Sequence, residues 1–474
     1  MSQNVGPSAP QAEIAAIVGA AHVLHDPEVT RSYRLDARGL FLGDAACVVR
    51  PGSTAETAQV VALCAARGWP VVPQGGNTGM VGGGVPMGGA QTVILSTERL
   101  RTIRSVDPDE MVAVVDAGVT LADLQRAAEA EGCHFPLSLG SQESCRIGGN
   151  ISTNAGGIHV LRYGNTRDLV LGLEVVLPDG RIWNGLRRLR KDNTGYALRH
   201  LFIGAEGTLG VVTAAALKLF ARPGEIGTAF VALPDPATAV ALMRGLRQRL
   251  GESLTAFELI PRIALDFGIR YIGPIREPFA RPYPWHVLVD VTLPEAAARL
   301  EQALAEMVEP LGLLDAVIAQ SEGQRTALWH LREIGAGGHQ HRAGAIIKHD
   351  ISVPIGKVPT MIARGTARVT AELPGTRVVA FGHLGDGNLH YNLVQPEGHD
   401  PSDFRGRTGA MNRIIHDLVV ELGGSISAEH GIGLLKRDEL GHYADPVELD
   451  LMRRIKDAID PAGLMNPGKI LPPA

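Results

Sequence analysis

PLSLGSQESCRIGGNISTNAGGIHVLRYGNTRDLV, residues 136–170, is too long for an ordinary connection and too poor in apolar side chains for a core. Structureless stretches of that length inside compact domains are usually functional. Its glycines, small hydroxyls and amides offer a dense set of backbone and side-chain donors instead. Two further stretches share the composition: PQGGNTGMVGGGVP at 73–86 and FIGAEGTLGVVT at 202–213. Glycine-dense backbone turns its N–H groups outward and can cradle phosphate oxygens. One such run alone is as readily a flexible loop. Three of them, set among α/β elements, imply one large phosphate-bearing cofactor wrapped by several loops. A nicotinamide Rossmann site is disfavoured, because Gly79-x-x-Gly82-Gly83-Gly84 lacks the GxGxxG spacing and no helix start with a following acidic residue succeeds it.

Around these loops the first half alternates strands and helices. AACVVRP (45–51) reads as a strand, and Ser53-x-x-Glu56 as a capping box opening the helix after it. PVVP, TVILS (92–96) and MVAVVDAG (111–118) are further strands, and LADLQRAAEAEG is a helix. LVLGLEVVLPDGRIW (169–183) returns to strand with an Asp-Gly turn. After Ala221-Arg222-Pro223 the order strand, turn, helix occurs twice in succession, which suggests a separate α+β domain with helices on one face of a sheet. Near the C-terminus, Asp445-Pro446-Val447-Glu448 supplies an N-cap, an N1 proline and a capping-box glutamate for a last helix. Leu449, Met452, Ile455 and Ile459 share one side of it.

The chain of 474 residues has a net charge of −5 and no long Lys/Arg block, which argues against nucleic acid as a partner. Cys47, Cys64, Cys133 and Cys145 are scattered without a CxxC pair, so neither a disulfide framework nor a zinc ribbon is suggested, and a cytoplasmic location fits best. The N-terminus lacks the basic start of a signal peptide, and no run approaches the ~20 apolar residues of a membrane helix. A peripheral membrane contact stays open.

FGHLGDGNLHYN (381–392) places two histidines seven residues apart around Gly-Asp-Gly. A two-residue type I′ turn at Asp386-Gly387 would set His383 directly opposite His390, with Asn392 on the same face. That geometry permits a metal pair without requiring one.

In order along the chain, GGNTG, GGNISTNAGG, GAEGTLG, GHLGDGNLH and AEHGIG resemble the motifs of the vanillyl-alcohol oxidase/PCMH-type flavoproteins. Within them they look like the branch of D-2-hydroxyglutarate dehydrogenases, flavin D-lactate dehydrogenases and the glycolate oxidase D subunit. The resemblance runs from about residue 40 to the C-terminus. It implies an α+β fold with a two-part FAD-binding domain (1–222, and 425–474 returning to it) and an inserted substrate domain of antiparallel sheet plus helices (223–424).

By the same resemblance, Pro73 belongs to the FAD site, and Gly75, Gly76, Asn77, Thr78 and Gly79 bind its pyrophosphate. Gly148, Gly149, Asn150, Ser152, Thr153, Asn154, Gly156 and Gly157 line the flavin. Glu206 and Gly210 lie on the adenosine side, with Asn466 and Lys469 back near the flavin. No histidine occurs in 73–86, which points to non-covalent FAD. Arg332 and Lys348 match the family's carboxylate clamp, a bidentate fork and a point charge. Ala336 stands where a threonine is expected, which leaves the identity of the acid open.

Glu429, in ISAEHGIG (426–433), supplies a third metal ligand beside His383 and His390, and such a set leaves coordination open for substrate. Zinc is the first choice, with manganese, iron or cobalt also accepted by these ligands. His430 is the natural base, and Asn392 adds a hydrogen bond to the substrate. The implied reaction takes a D-2-hydroxy acid to the 2-oxo acid, D-2-hydroxyglutarate first and D-lactate or D-malate next. Its C2 hydride goes to flavin N5, and the electrons pass on to a quinone or an electron-transfer flavoprotein. A homodimer stays open. Two histidines and a carboxylate also describe non-haem iron oxygenases and zinc hydrolases, in which no flavin would be present, and a metal-binding scaffold without turnover is the third reading.

Overall fold

The computed structural model describes residues 10–273, 276–336 and 338–473, and the side chain of Ala336 lies outside the described residues. The chain divides into two compact units. The first holds residues 1–157, 164–222 and 430–474, and the second holds 158–163 and 223–429. The crossover expected at 425 therefore falls at Glu429/His430. Ser425 stays with the second unit because its backbone pairs with Ser352 in both directions, at 2.8 and 3.0 Å, and Ala428 N–H donates to the Asp350 carbonyl.

The first unit contains two larger sheets and a two-stranded one that pairs Phe220–Ala221 with Cys133–His134. One of the larger sheets orders Val23–Leu24, Cys47–Val49, Val93–Ser96 and Val71–Gln74, the last three parallel. Its crossover helix Thr54–Arg67 starts where Ser53 Oγ accepts from Glu56 N–H at 3.1 Å and stops at Gly68, left-handed at φ 69°. The reciprocal half of the capping box is displaced by one residue, since the Glu56 carboxylate accepts from Gly52 N–H rather than from Ser53. The other larger sheet is antiparallel, in the order Ile103–Asp107, Val112–Asp116, Val211–Lys218, Val170–Val176, Ile182–Gly185. Its central strands are apolar runs buried along almost their whole length, as expected for strands covered on both faces.

The C-terminal segment closes this unit. Asp445 caps the helix Pro446–Ile459, and Met465 bridges to Val71 and joins the core around Val60, Val71 and Val93. Of the four residues read as that helix's apolar side, Leu449 is buried whereas Ile455 is 38% exposed. Lys456, not an apolar residue, ties the helix down, through the Thr208 and Met465 carbonyls.

The second unit is one seven-stranded antiparallel sheet. Its order is Asp315–Ile318, Ile226–Leu233, Trp285–Thr292, Leu254–Pro261, Arg377–His383, Asn388–Val394, Ile346–Ser352. Helices cover both faces, not one. Phe381, Val379 and Ile260 pack with the helices Arg262–Ile272 and Glu322–Ala336. Tyr391, on the opposite face, reaches Thr366 of the helix Val358–Glu372 at 3.1 Å. Strands apolar on both faces need cover on both, which the succession of strand and helix does not reveal. All four cysteines are buried and free. Among the described residues, no helix is long and apolar enough to cross a membrane.

Candidate functional site

In the first unit the three glycine-rich stretches converge on a cavity of about 940 Å³, counting its open mouth. Its wall takes Pro73 and residues 75–79 from the first stretch. The second stretch contributes Gly148, Gly149, Asn150, Ser152 and Thr153, and the third Glu206 and Gly210. His430 lines the same cavity. The chain approaches itself too closely here for side chains: a Cβ on Gly76 would meet the Ser144 carbonyl oxygen, and one on Gly148 would meet Ala117.

Four non-glycine residues of this unit's motifs adopt left-handed backbone: Asn77 (φ 53°), Asn154 (φ 49°), Glu206 (φ 49°) and Asn466 (φ 42°). Asparagine tolerates that region, whereas for glutamate it costs roughly 1–3 kcal/mol. The strain at Glu206 is held by a dense set of bonds. Its carboxylate accepts from Ile432 N–H and Gly433 N–H, each at 2.8 Å. Its carbonyl accepts from Asn466 Nδ2 at 2.6 Å, and its N–H donates to the Ser152 carbonyl at 2.7 Å. Burial pushes the Glu206 carboxyl up to about 7, against those two amides and Lys469.

Several expected cofactor residues therefore act on the loops and not at the cavity wall. Asn466 ties Glu206 to the Gly83 carbonyl, and buried Lys469 donates to the Val85 carbonyl and to Asn466 Oδ1. Asn154 receives the Arg167 N–H, and Gly156 and Gly157 are buried away from the wall. Asn77 lines the cavity, yet its amide donates to the Ser32 and Leu35 carbonyls and so pins its own loop.

Arg146, within residues 136–170, carries no composition signal of its own among the small residues around it. It lines the cavity and donates Nη1 to the Gly118 carbonyl at 2.6 Å, and its buried Nε meets no partner among the described residues. Burial and Arg101 pull its pKa down. A cation in want of an anion, beside glycine backbone at the cavity wall, suits the phosphates of FAD.

In the second unit, the sheet face that carries Phe381, Val379 and Ile260 also carries a polar group beneath Arg332. His383 does not face His390: the register sets His390 against Phe381 on one side and Asp350 on the other. The loop between the strands is four residues, Leu384–Gly387, and of Asp386 and Gly387 only Gly387 has positive φ (84°). The two-residue turn is replaced because His383 continues the strand and pairs with Glu258. The histidines still meet diagonally, ring centroids 5.6 Å apart. Glu429 completes the group, with His383 Nε2 at 3.4 Å from one carboxylate oxygen and His390 Nε2 at 4.0 Å from the other. All three ligand atoms lie within 4.8 Å of one another. Ligands about 2.0–2.2 Å from one tetrahedral ion stand roughly 3.4 Å apart, so the set fits a divalent metal with small movements.

Two buried carboxylates hold this group, and neither was expected. Glu258 takes His383 Nδ1 at 2.6 Å and the Arg332 guanidinium at 2.7 Å. Asp350 accepts from the Glu429 N–H at 2.9 Å and from Asn388 Nδ2 at 3.0 Å. Burial would raise Glu258, but His383 and Arg332 hold it down to about 2. Burial would lower His383, yet Glu258 and then Glu429 bring it up to about 10. For His390 burial wins over Glu429 and takes it down to about 4. Lys348 is exposed and pairs across the sheet with Asn392, on the face that carries His390. Asn392 Nδ2 donates to Gln340 at 2.9 Å. The sequence signal for Glu258 is its place as the lone acid in the strand LTAFELIP.

Comparison with known proteins matches residues 45–185 to an FAD binding domain and residues 222–470 to the C-terminal domain of FAD linked oxidases. The chain is 38% identical over 462 residues to a probable mitochondrial D-2-hydroxyglutarate dehydrogenase of Oryza sativa subsp. indica, covering 96% of this chain and 80% of that protein. It is 37% identical over 461 residues to D-2-hydroxyglutarate dehydrogenase of Stutzerimonas stutzeri (strain A1501), covering 97% and 98%. Among solved structures, p-cresol methylhydroxylase with substrate bound superposes with a TM-score of 0.74 at 18% identity, over 97% of this chain and 96% of that one, which establishes the PCMH-type fold.

Proposed function

The chain belongs to the FAD-linked oxidases and is an FAD-dependent hydroxy-acid dehydrogenase, and from that premise we propose that it oxidises D-2-hydroxyglutarate, with D-lactate and D-malate as poorer substrates. The observation that carries the proposal is the meeting of His383 and His390, on one sheet face, with the loop residue Glu429, beside Arg332. FAD, held without a covalent link by the glycine loops and Arg146, supplies the acceptor for the C2 hydride. A divalent ion, zinc as first choice, supplies Lewis acidity at the substrate's hydroxyl and carboxylate.

The chain's own residues do the rest. His383, His390 and Glu429 present two imidazole nitrogens and a carboxylate as ligands. Arg332 and Lys348 take the acid groups, and two cations suit a diacid better than a monoacid. Asn392 adds a hydrogen bond to the bound acid. His430 accepts the proton from the C2 hydroxyl oxygen, a task suited to an imidazole near neutral pH. Electrons leave to a quinone or an electron-transfer flavoprotein rather than to a nicotinamide, for which the loop spacing offers no site. The flavin-free oxygenase or hydrolase does not accord with the FAD binding domain match.

The test is anaerobic. The purified yellow protein should bleach on adding D-2-hydroxyglutarate, more slowly on D-lactate or D-malate, and not with the L-isomers. Removing metal with a chelator should abolish bleaching and added zinc should restore it. A flavin that no D-2-hydroxy acid reduces would overturn the reading.

A further inference from the structure

We infer that Glu258 is a positioning residue serving two functional groups at once: its single buried carboxylate aims His383 at the metal and Arg332 at the substrate. The inference rests on the metal-assisted reading above. Glu258 is fully buried at 0% exposure, in the middle of the strand Leu254–Pro261. One oxygen accepts from His383 Nδ1 at 2.6 Å, and the other accepts from Arg332 Nε and Nη2, each at 2.7 Å.

Each bond has a directional consequence. A hydrogen bond from Nδ1 fixes the ring proton there and leaves the Nε2 lone pair, on the Glu429 side, as the ligand. Gripping the Nε/Nη2 edge of a planar guanidinium turns its Nη1 edge away from Glu258, and its Cζ lies over the Phe381 ring, 5.8 Å from the centroid. Burying a charge costs several kcal/mol, and a buried ion pair is often matched or bettered in stability by apolar residues of similar volume, so stability alone does not account for a carboxylate here.

The helix that carries Arg332 has its own anchor. Arg325 and Trp329, two turns and about one turn earlier, both donate to buried Asp290 on the next strand, at 3.2 and 3.1 Å. Changing Glu258 should therefore release the two side chains without releasing the helix.

The experiment uses the FAD-loaded enzyme and zinc, comparing wild type with E258Q, E258D and D290N. Expected for E258Q is a 10–100-fold loss of zinc affinity, read by chelator competition, together with at least a tenfold rise in KM for D-2-hydroxyglutarate. At saturating zinc, kcat should fall less than KM rises, and the flavin spectrum should be unchanged. D290N should lower the melting temperature while keeping zinc affinity. Zinc affinity and KM both within twofold of wild type in E258Q would overturn the inference. If E258Q does not fold, E258D decides: its charge is kept but its reach is one methylene shorter, so unchanged zinc affinity there overturns it equally. Wild type that binds no zinc would instead defeat the metal-assisted reading beneath it.

Discussion

The cavity of the first unit and the polar group on the sheet of the second are built in opposite ways. The cavity is built from main chain: glycines where a Cβ would strike a carbonyl, asparagines in left-handed backbone, and carboxamides spent on pinning loops. The polar group is built from side chains on regular strands, where the backbone is occupied by sheet bonds and only imidazoles, carboxylates and a guanidinium are left to act. Main-chain sites fail when a residue is made larger. Side-chain sites fail when a functional group is removed.

The largest effect is expected from His383→Ala. It should leave the flavin spectrum intact while metal analysis shows no bound ion, and turnover should fall about a thousandfold, equivalent to about 4 kcal/mol. Normal turnover without metal would erase the contrast between the units. His430→Asn comes next: single-turnover flavin reduction should slow by about a hundredfold or more, with metal and FAD both retained. Unchanged reduction would remove His430 as the base.

Gly76→Ala tests the main-chain side of the comparison. The added methyl meets the Ser144 carbonyl oxygen, so flavin content on purification should drop and stability should fall by about 1–3 kcal/mol, read by denaturant melts. Zinc affinity should stay as it was. The same melts with full flavin occupancy would show that the loops are more pliable than their packing implies.

The smallest effect concerns pH. The Glu206 carboxyl rises on folding from 4.5 to about 7. Between those values the folded chain holds a proton that the unfolded chain has lost, so stability declines as pH rises through the window. A shift of ~2.5 units corresponds to at most roughly 3 kcal/mol. Denaturant midpoints at pH 4.5 and 7.5 should draw together in E206Q. An equal pH slope in the two proteins would mean that the amides of Ile432 and Gly433 keep Glu206 ionised throughout.

The contrast also explains what could be read beforehand. The loops were legible because each is one contiguous stretch, and glycine density reports backbone exposure directly. His383, His390 and Glu429 were legible as residue types, but their arrangement was not. An Asp-Gly pair suggested a tight turn, and the sheet overruled it because His383 found a longer-range partner. Glu258 lies 125 residues from His383 and Asp350 lies 79 from Glu429. No local pattern marks either acid as a neighbour of His383, His390 and Glu429. Arg146 was missed for the opposite reason, being local but unlike the small residues around it.

The sequence by itself determined the glycine-rich loops, the family and the order of strands and helices. Those follow from composition and short-range spacing, which survive without knowledge of distant partners. Strand register, the covering of both sheet faces, the point at which the chain leaves the second unit and the two carboxylates behind the ligands were decided only in three dimensions. A strand pairs with whichever neighbour buries its side chains and satisfies its polar groups. That choice is made across the whole sheet at once.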